Sequence, residues 1–366
     1  MSQLKVNTIR HTSASSDAIT LASDGTATAK ITNNLSNRNL IINGAMQVAQ
    51  RGTSSTSSNG YYTVDRIWHY YQDTDEAPTF SQVDVASGTP AFQAGFRKAF
   101  KVTNGNQTSG AGASDQIQLE YRVEAQDIAC SGWNYLSSSS FLTLSFYIKS
   151  SVAQAFNFFV QTSDGTSKHM PFSTPSLTAD TWTKVSFQIK GDSNLQFNND
   201  NGKGLMINLS PFLGTNYTDN SITNGEWITY ASGTRYRDAT TTWYTTNDAT
   251  WEITGLQLEV GDTATDYEHR SYGDELARSQ RYYQGFTAEF REDDSSDGSI
   301  FFGTLGLPVK MRSAPTITSS YASSYNVNTG ASLEDSHIDP QAICFGHRSS
   351  GAGTRARRTI GLSSEL

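Results

Sequence analysis

The sequence predicts an all-β protein: a jelly-roll β-sandwich and a small C-terminal β domain, joined by one short helix and preceded by an extended N-terminal arm. Three observations carry the prediction. Hydrophobic residues are 36% and charged residues 17% of the 366, with Ser, Thr, Asn and Gly making up the difference, and such residues favour turns and strand surfaces over helix interiors. The 18 Phe, 17 Tyr and 6 Trp supply large buried surfaces and exclude general disorder. Between residues 40 and 270, apolar residues recur with period two in run after run, the signature of half-buried strands.

Residues 1–39 hold two short strand-like runs, KVNTI and AITL, and little to build a core from. A segment of this composition does not offset its own ordering entropy. It is either a disordered tail or an arm that orders against neighbouring chains. Residues 40–270 read as the sandwich. FLTLSFYIKSS places Leu142, Leu144, Phe146 and Ile148 on one face, TWTKVSFQIKG does the same with Val185, Phe187 and Ile189, and GLMINLSPF with Leu205, Ile207 and Leu209. WEITGLQLEVG starts with Trp251 and Ile253 inward and then changes phase to Leu256, Leu258 and Val260. The change falls at Gly255, where a bulge would re-aim the strand.

Residues 271–285 form the short linking helix. Ser271 can cap it, Asp274 and Glu275 suit its first turn, Arg278 and Arg281 its last, and Gly285 ends it. A helix of about ten residues is marginal alone. It must pack through Tyr272, Leu276 and the Tyr282/Tyr283 pair, against its own sandwich or against helices of sister chains. Residues 286–366 return to strand-like runs (SIFFGTLGLPV, APTITSSY, QAICFGH) and suffice for a small β domain, with Pro308 and Pro315 bracketing VKMRSA.

The formal charge of −8 argues against a nucleic-acid partner, because neutralising phosphates needs a basic face. No apolar run reaches the roughly 20 residues of a membrane-spanning helix. Cys130 and Cys344 give neither a metal pattern nor a disulfide framework. The six histidines, His11, His69, His169, His269, His337 and His347, are scattered without metal-ligand spacing. With no phosphate loop, nucleophile elbow or selected carboxylate pair, no catalytic residue and no cofactor is expected.

Sugar binding is better motivated. Sugars present polar rims and apolar ring faces, so their sites join an exposed aromatic ring to amide and carboxylate hydrogen bonds. Tyr236, Trp243 and Tyr244, in a Thr-rich stretch bracketed by charges, are the leading candidates for such rings; Trp68 and Trp227 are divided between core and site. Arg355, Arg357 and Arg358 form a basic cluster, either a solvated tail or a contact for anionic polysaccharide.

Several ordered motifs resemble bacteriophage tail-fibre proteins. MSQLKVNTIRH is similar to the N-terminal arm of marine-phage virion proteins. NLIINGAMQVAQRG followed by TVDRIW resembles the first strand of fibre domains, and TGLQLEVGDTATDYEHRSYGDELARSQRYY and LPVKMRSAPTIT resemble their most recurrent stretch, with Ser279 in place of a usual Cys. The resemblance implies an arm that attaches to other tail or capsid proteins, adhesion to host surface polysaccharide, and a homotrimer. Leu276, Tyr282 and Tyr283 would then be the trimer contacts. The sandwich also looks like a carbohydrate-binding-module jelly roll, but the places that would carry calcium-holding carboxylates read Met46–Gln47 and Thr254–Gly255. A purely structural decoration protein, contacting only other virion proteins, is the alternative.

Overall fold

The computed structural model describes residues 6–14, 17–23, 27–29, 37–291, 300–325, 334–348 and 355–366. Two antiparallel sheets pack face to face as a jelly-roll sandwich. The back sheet runs Thr183–Lys190, Phe141–Ser150, Thr250–Val260, Lys98–Thr103, Thr79–Asp84 and Ser54–Ser55 in spatial order. The front sheet runs Gln116–Glu124, Lys203–Asn208, Asn157–Thr162, Lys168–Ser173 and Ile228–Thr229, with Ile67–Gln72 paired to the free side of 116–124. The period-two faces meet between the sheets: Leu142, Leu144, Phe146 and Ile148 are at most 1% exposed, as are Leu205 and Ile207.

Gly255 behaves as its sequence context requires. Its φ is +67°, a backbone region that side chains disfavour, and the register slips between Thr254 and Gln257. A Cβ there would lie 2.4 Å from Phe96 Cζ. The bulge returns Leu256 and Leu258 to the core that Trp251 and Ile253 enter one phase earlier.

The front sheet is covered on its outer side as well. The chain leaves Phe212–Leu213 and makes a long excursion to the turn of helix Thr242–Thr245. The two arms of the excursion zip together, the Asp219 amide donating to the Tyr236 carbonyl at 2.9 Å and the Thr218 hydroxyl to Asp238 at 2.6 Å. His169 is fully buried and lies 2.8 Å from the Thr234 carbonyl, which ties the excursion to the sheet. Beneath it, Phe159, Met206, Leu213 and Tyr236 form a second apolar layer on the outer face.

The helix spans Tyr272–Gln280, and Ser271 caps it by accepting from the Asp274 amide at 3.2 Å. It stops earlier than the sequence suggests: Gly285 lies inside the next strand, Tyr283–Arg291. Its buried face is polar, made of Glu275 and Ser279, while Tyr272 is 56% exposed. Glu275 accepts from the Asn43 amide at 2.5 Å and from Arg270 at 3.2 Å, and Arg270 in turn donates to the Ile41 and Asn39 carbonyls. The helix therefore clamps the first segment of the sandwich.

Tyr282 is taken up within the chain, so its expected place as a trimer contact needs correction, whereas Tyr283 and Leu276 keep part of their surface. Tyr282 is 1% exposed, its hydroxyl donates to Glu124 at 2.6 Å, and the Arg66 guanidinium lies 3.5 Å above its ring. Tyr283 is half-buried with Arg51 3.7 Å above its ring. Arg281 adds a two-point pair to Glu124 at 2.9 and 2.8 Å. Leu276 is also half-buried. A hydroxyl with a buried carboxylate at hand satisfies both groups, which an interface of apolar contacts would not do.

The C-terminal region builds two three-stranded sheets, Tyr283–Arg291 with Arg355–Ser363 and Thr316–Tyr325, and Ile300–Gly306 with Ala342–Arg348 and Glu334–Ile338. Met311, Ile343, Ile360 and Leu362 form their core. The chain then returns to the sandwich. Glu365 pairs with Arg66, which is 1% exposed, and with Arg51 at 3.1 Å. Leu366 offers its carbonyl to Arg122 and Tyr61, and Arg312 donates to the Ser364 carbonyl at 2.7 Å. The side chains of Arg355, Arg357 and Arg358 lie outside the described residues. In the arm, Thr8–Ile9, Ile19–Leu21 and Ala27–Ala29 pair as a small antiparallel sheet, with Val6, Ile9 and Leu21 exposed. Among the described residues no helix is long and apolar enough to cross a membrane.

Candidate functional site

The alternation of Ile67–Gln72 puts Ile67 and His69 in the core and Trp68, Tyr70 and Gln72 on the outer face. QIQLEYRVE does the same next door: Ile117, Leu119, Tyr121 and Val123 face inward, and Gln116, Gln118, Glu120 and Arg122 outward. Register pairs Trp68 with Glu120, Tyr70 with Gln118 and Gln72 with Gln116. These rows floor an open cleft of about 500 Å³, continued by Gln161 and Lys203 and walled by Tyr217, Tyr230 and Arg235 of the excursion.

The lining is organised. The Trp68 and Tyr70 rings lie parallel, 7° between planes and 5.6 Å between centres, with the Arg122 guanidinium 5.1 Å from the Trp68 ring. Arg122 is fixed by Glu120 at 2.9 and 2.6 Å. Gln116 donates to Gln72 and to the Tyr217 hydroxyl, each at 3.1 Å, and accepts from Gln118, which accepts from Asn208 at 2.9 Å. Arg235 lies 4.8 Å over the Tyr217 ring. Partial burial raises the Tyr70 hydroxyl above its ordinary range, with Tyr217 adding to the effect, so it stays protonated and donates to Gln72. Burial, and then the nearby Arg122 cation, push the Lys203 ammonium down. Parallel rings beside fixed amides offer one flat apolar surface and a fringe of donors and acceptors.

Of the sequence candidates, Trp68 is in this cleft. Tyr236, Trp243 and Tyr244 are not available as exposed rings, a correction to their assignment: they are 1%, 0% and 0% exposed. Tyr236 supports the excursion from below. Trp243 and Tyr244 sit on one turn of helix whose threonines stay outside while the two rings enter the sandwich end. The Trp243 indole donates to the Thr250 carbonyl at 3.0 Å, and Tyr244 stacks on Phe212 at 4.1 Å. Trp227 is half-buried against the main core, its indole donating to the Lys190 carbonyl at 2.6 Å. Gln116, Gln118 and Arg122 were not singled out as site residues from the sequence. Their signal was the polar face of QIQLEYRVE, whose alternation had been open to view.

Among the described residues no three His, Cys, Asp or Glu side chains cluster as metal ligands would. No protein-family model matches the chain, and no curated protein matches it. The chain is distantly similar to solved structures. One is the enzymatically active domain of tailspike protein 4 of bacteriophage CBA120, at TM-score 0.31 and 8% identity over 61% of this chain and 21% of that one, so the alignment spans about a fifth of that domain. A second is a putative sugar binding protein from Bacteroides thetaiotaomicron, at 0.31 and 12% over 61% of this chain and 100% of that one. A third is the family 11 carbohydrate-binding module of a cellulosomal cellulase of Clostridium thermocellum, at 0.26 and 13% over 57% of this chain and 99% of that one.

Proposed function

We propose that this chain is an adhesive protein of a bacteriophage fibre, attached to the virion by its N-terminal arm and holding a host-surface glycan in the cleft of its front sheet. The adhesive part of the reading is supported above all by one observation: the parallel Trp68 and Tyr70 rings lie in an open cleft beside Gln72, Gln116 and Gln118. The fibre part is supported by the ordered motifs from LQLEVG to SQRYY and at the N-terminus. Binding is reversible, with no bond made or broken. The arm suits attachment, because Ile9 and Leu21 on its very small sheet, and Val6 just before it, leave apolar side chains exposed. Trimer formation, if it runs through the arm, would join three weak sites and raise avidity through effective concentration. The test is adsorption competition. The purified protein blocks phage adsorption to host cells, and Trp68→Ala removes the block while its melting temperature stays within about 2 °C. Equal competition by the variant would refute the cleft assignment, and no competition by either protein would favour a decoration role.

A further inference from the structure

We propose, resting on the glycan-cleft reading, that the cleft selects anionic sugars: a ring bearing a carboxylate or sulfate, read by Arg235 and Lys203 while Trp68 holds its apolar face. The charge of the lining is the first argument. The chain carries a formal −8, yet the cleft gathers three cations, Arg122, Lys203 and Arg235, against one carboxylate, Glu120. That carboxylate is taken: both of its contacts, at 2.9 and 2.6 Å, go to Arg122. The local surplus is then two positive charges on an acidic protein.

The second argument is what the two remaining cations do. Neither Lys203 nor Arg235 makes an ion pair among the described residues. The nearest carboxylate among the lining residues is Glu120. The Arg235 Nε is buried without a hydrogen-bond partner and out of a ligand's reach, so recognition falls to the outer guanidinium nitrogens, which make no hydrogen bond among the described residues. The excursion holds Arg235 in place through its amide, which donates to the Tyr217 carbonyl at 2.9 Å. A guanidinium so fixed presents its fork to a planar carboxylate or a tetrahedral sulfate, and loses little side-chain freedom on binding. Lys203 enters from the adjoining strand, so the two cations approach a bound ring from the floor and from the wall.

Calorimetric titration of the whole chain with matched oligosaccharides tests this: mannan against mannuronate, galactan against galacturonate, and galactan against sulfated galactan. The expected result is that at least one anionic member binds about tenfold or more tightly than its neutral partner. That preference should shrink several-fold between about 50 and about 300 mM salt. Lys203→Gln with Arg235→Gln should reduce it to near parity while leaving the fold intact by melting temperature. Comparing carboxylate and sulfate members says which anion is read. Equal or tighter binding of the neutral sugars, still sensitive to Trp68→Ala, overturns the anionic selection and leaves the glycan cleft standing. Absence of binding by every sugar overturns both. Should the double variant fail to fold, the salt dependence of the unaltered chain decides alone: an anionic preference that does not change with salt refutes the charge argument.

Discussion

Replacing Glu365 by Gln is the sharpest perturbation of the joint between the two β regions. Glu365 serves two arginines, Arg66 at 1% exposure and Arg51 at 3.1 Å. Arg66 retains a hydrogen bond to the Arg122 carbonyl and the faces of Tyr282 and Tyr121, but its Nε already lacks a partner. Removing the one carboxylate on it therefore strands a buried cation, which costs about 3–5 kcal/mol in comparable cases. Arg51 still has Asp65 at 3.9 Å and loses less. For a cooperative unit of about 200 residues, each kcal/mol moves the melting temperature by roughly 2–4 °C. The expected drop is thus on the order of 10 °C by scanning calorimetry. Arg66→Met combined with Glu365→Gln should recover most of it, because an apolar filling removes the stranded charge. A single variant melting within about 2 °C of the parent, or a double variant no better than the single one, would refute the claim that the joint is held by this buried pair.

Other outcomes follow from the same geometry. Trp243→Ala should remove a fully buried ring and cost about 3–5 kcal/mol, seen as a large loss of melting temperature, whereas Trp68→Ala should leave stability nearly unchanged. Gly255→Ala should destabilise the sandwich by a few kcal/mol, because φ is +67° and a Cβ meets Phe96 at 2.4 Å; trimming Phe96 to Leu should return part of the loss. His69 stacks 4.0 Å from Phe80 in the core, and desolvation lowers its pKa from an ordinary 6.5 to about 4. The unfolded chain takes up that proton first, so the contribution is complete above pH 6.5 and is lost as pH falls toward 4. The loss reaches about 3 kcal/mol. His69→Phe should abolish it, so the stability difference between variant and parent in urea titrations should widen over that interval. A constant difference would mean His69 is protonated in the folded state.

Much of the sandwich was legible because strand alternation depends only on residue order and a buried face. Leu142 to Ile148 and the phase change at Gly255 follow directly. The cleft was half legible: Trp68 was a candidate, but the amides beside it were overlooked, since polar residues on an alternating strand read as ordinary solvent-facing positions. Trp243 and Tyr244 misled for the opposite reason. Their exposed threonine neighbours describe the surface of one helical turn, and nothing local says that the next side chains enter the sandwich. Tyr236 is buried because the excursion that carries it closes over Phe159 and Met206, a long-range contact with no local mark. The helix reads as amphipathic through Leu276, yet it packs through Glu275, because its partners are an amide and a guanidinium more than two hundred positions away in the case of Asn43.

Residues 116–124 carry two duties on one rod. Glu120 and Arg122 face the cleft, while Glu124 grips Arg281 and Tyr282, and Arg122 also reaches Leu366. The C-terminal region and the cleft therefore share one strand, so a shift of Glu124 or Leu366 would be carried by that strand to Glu120 and Arg122.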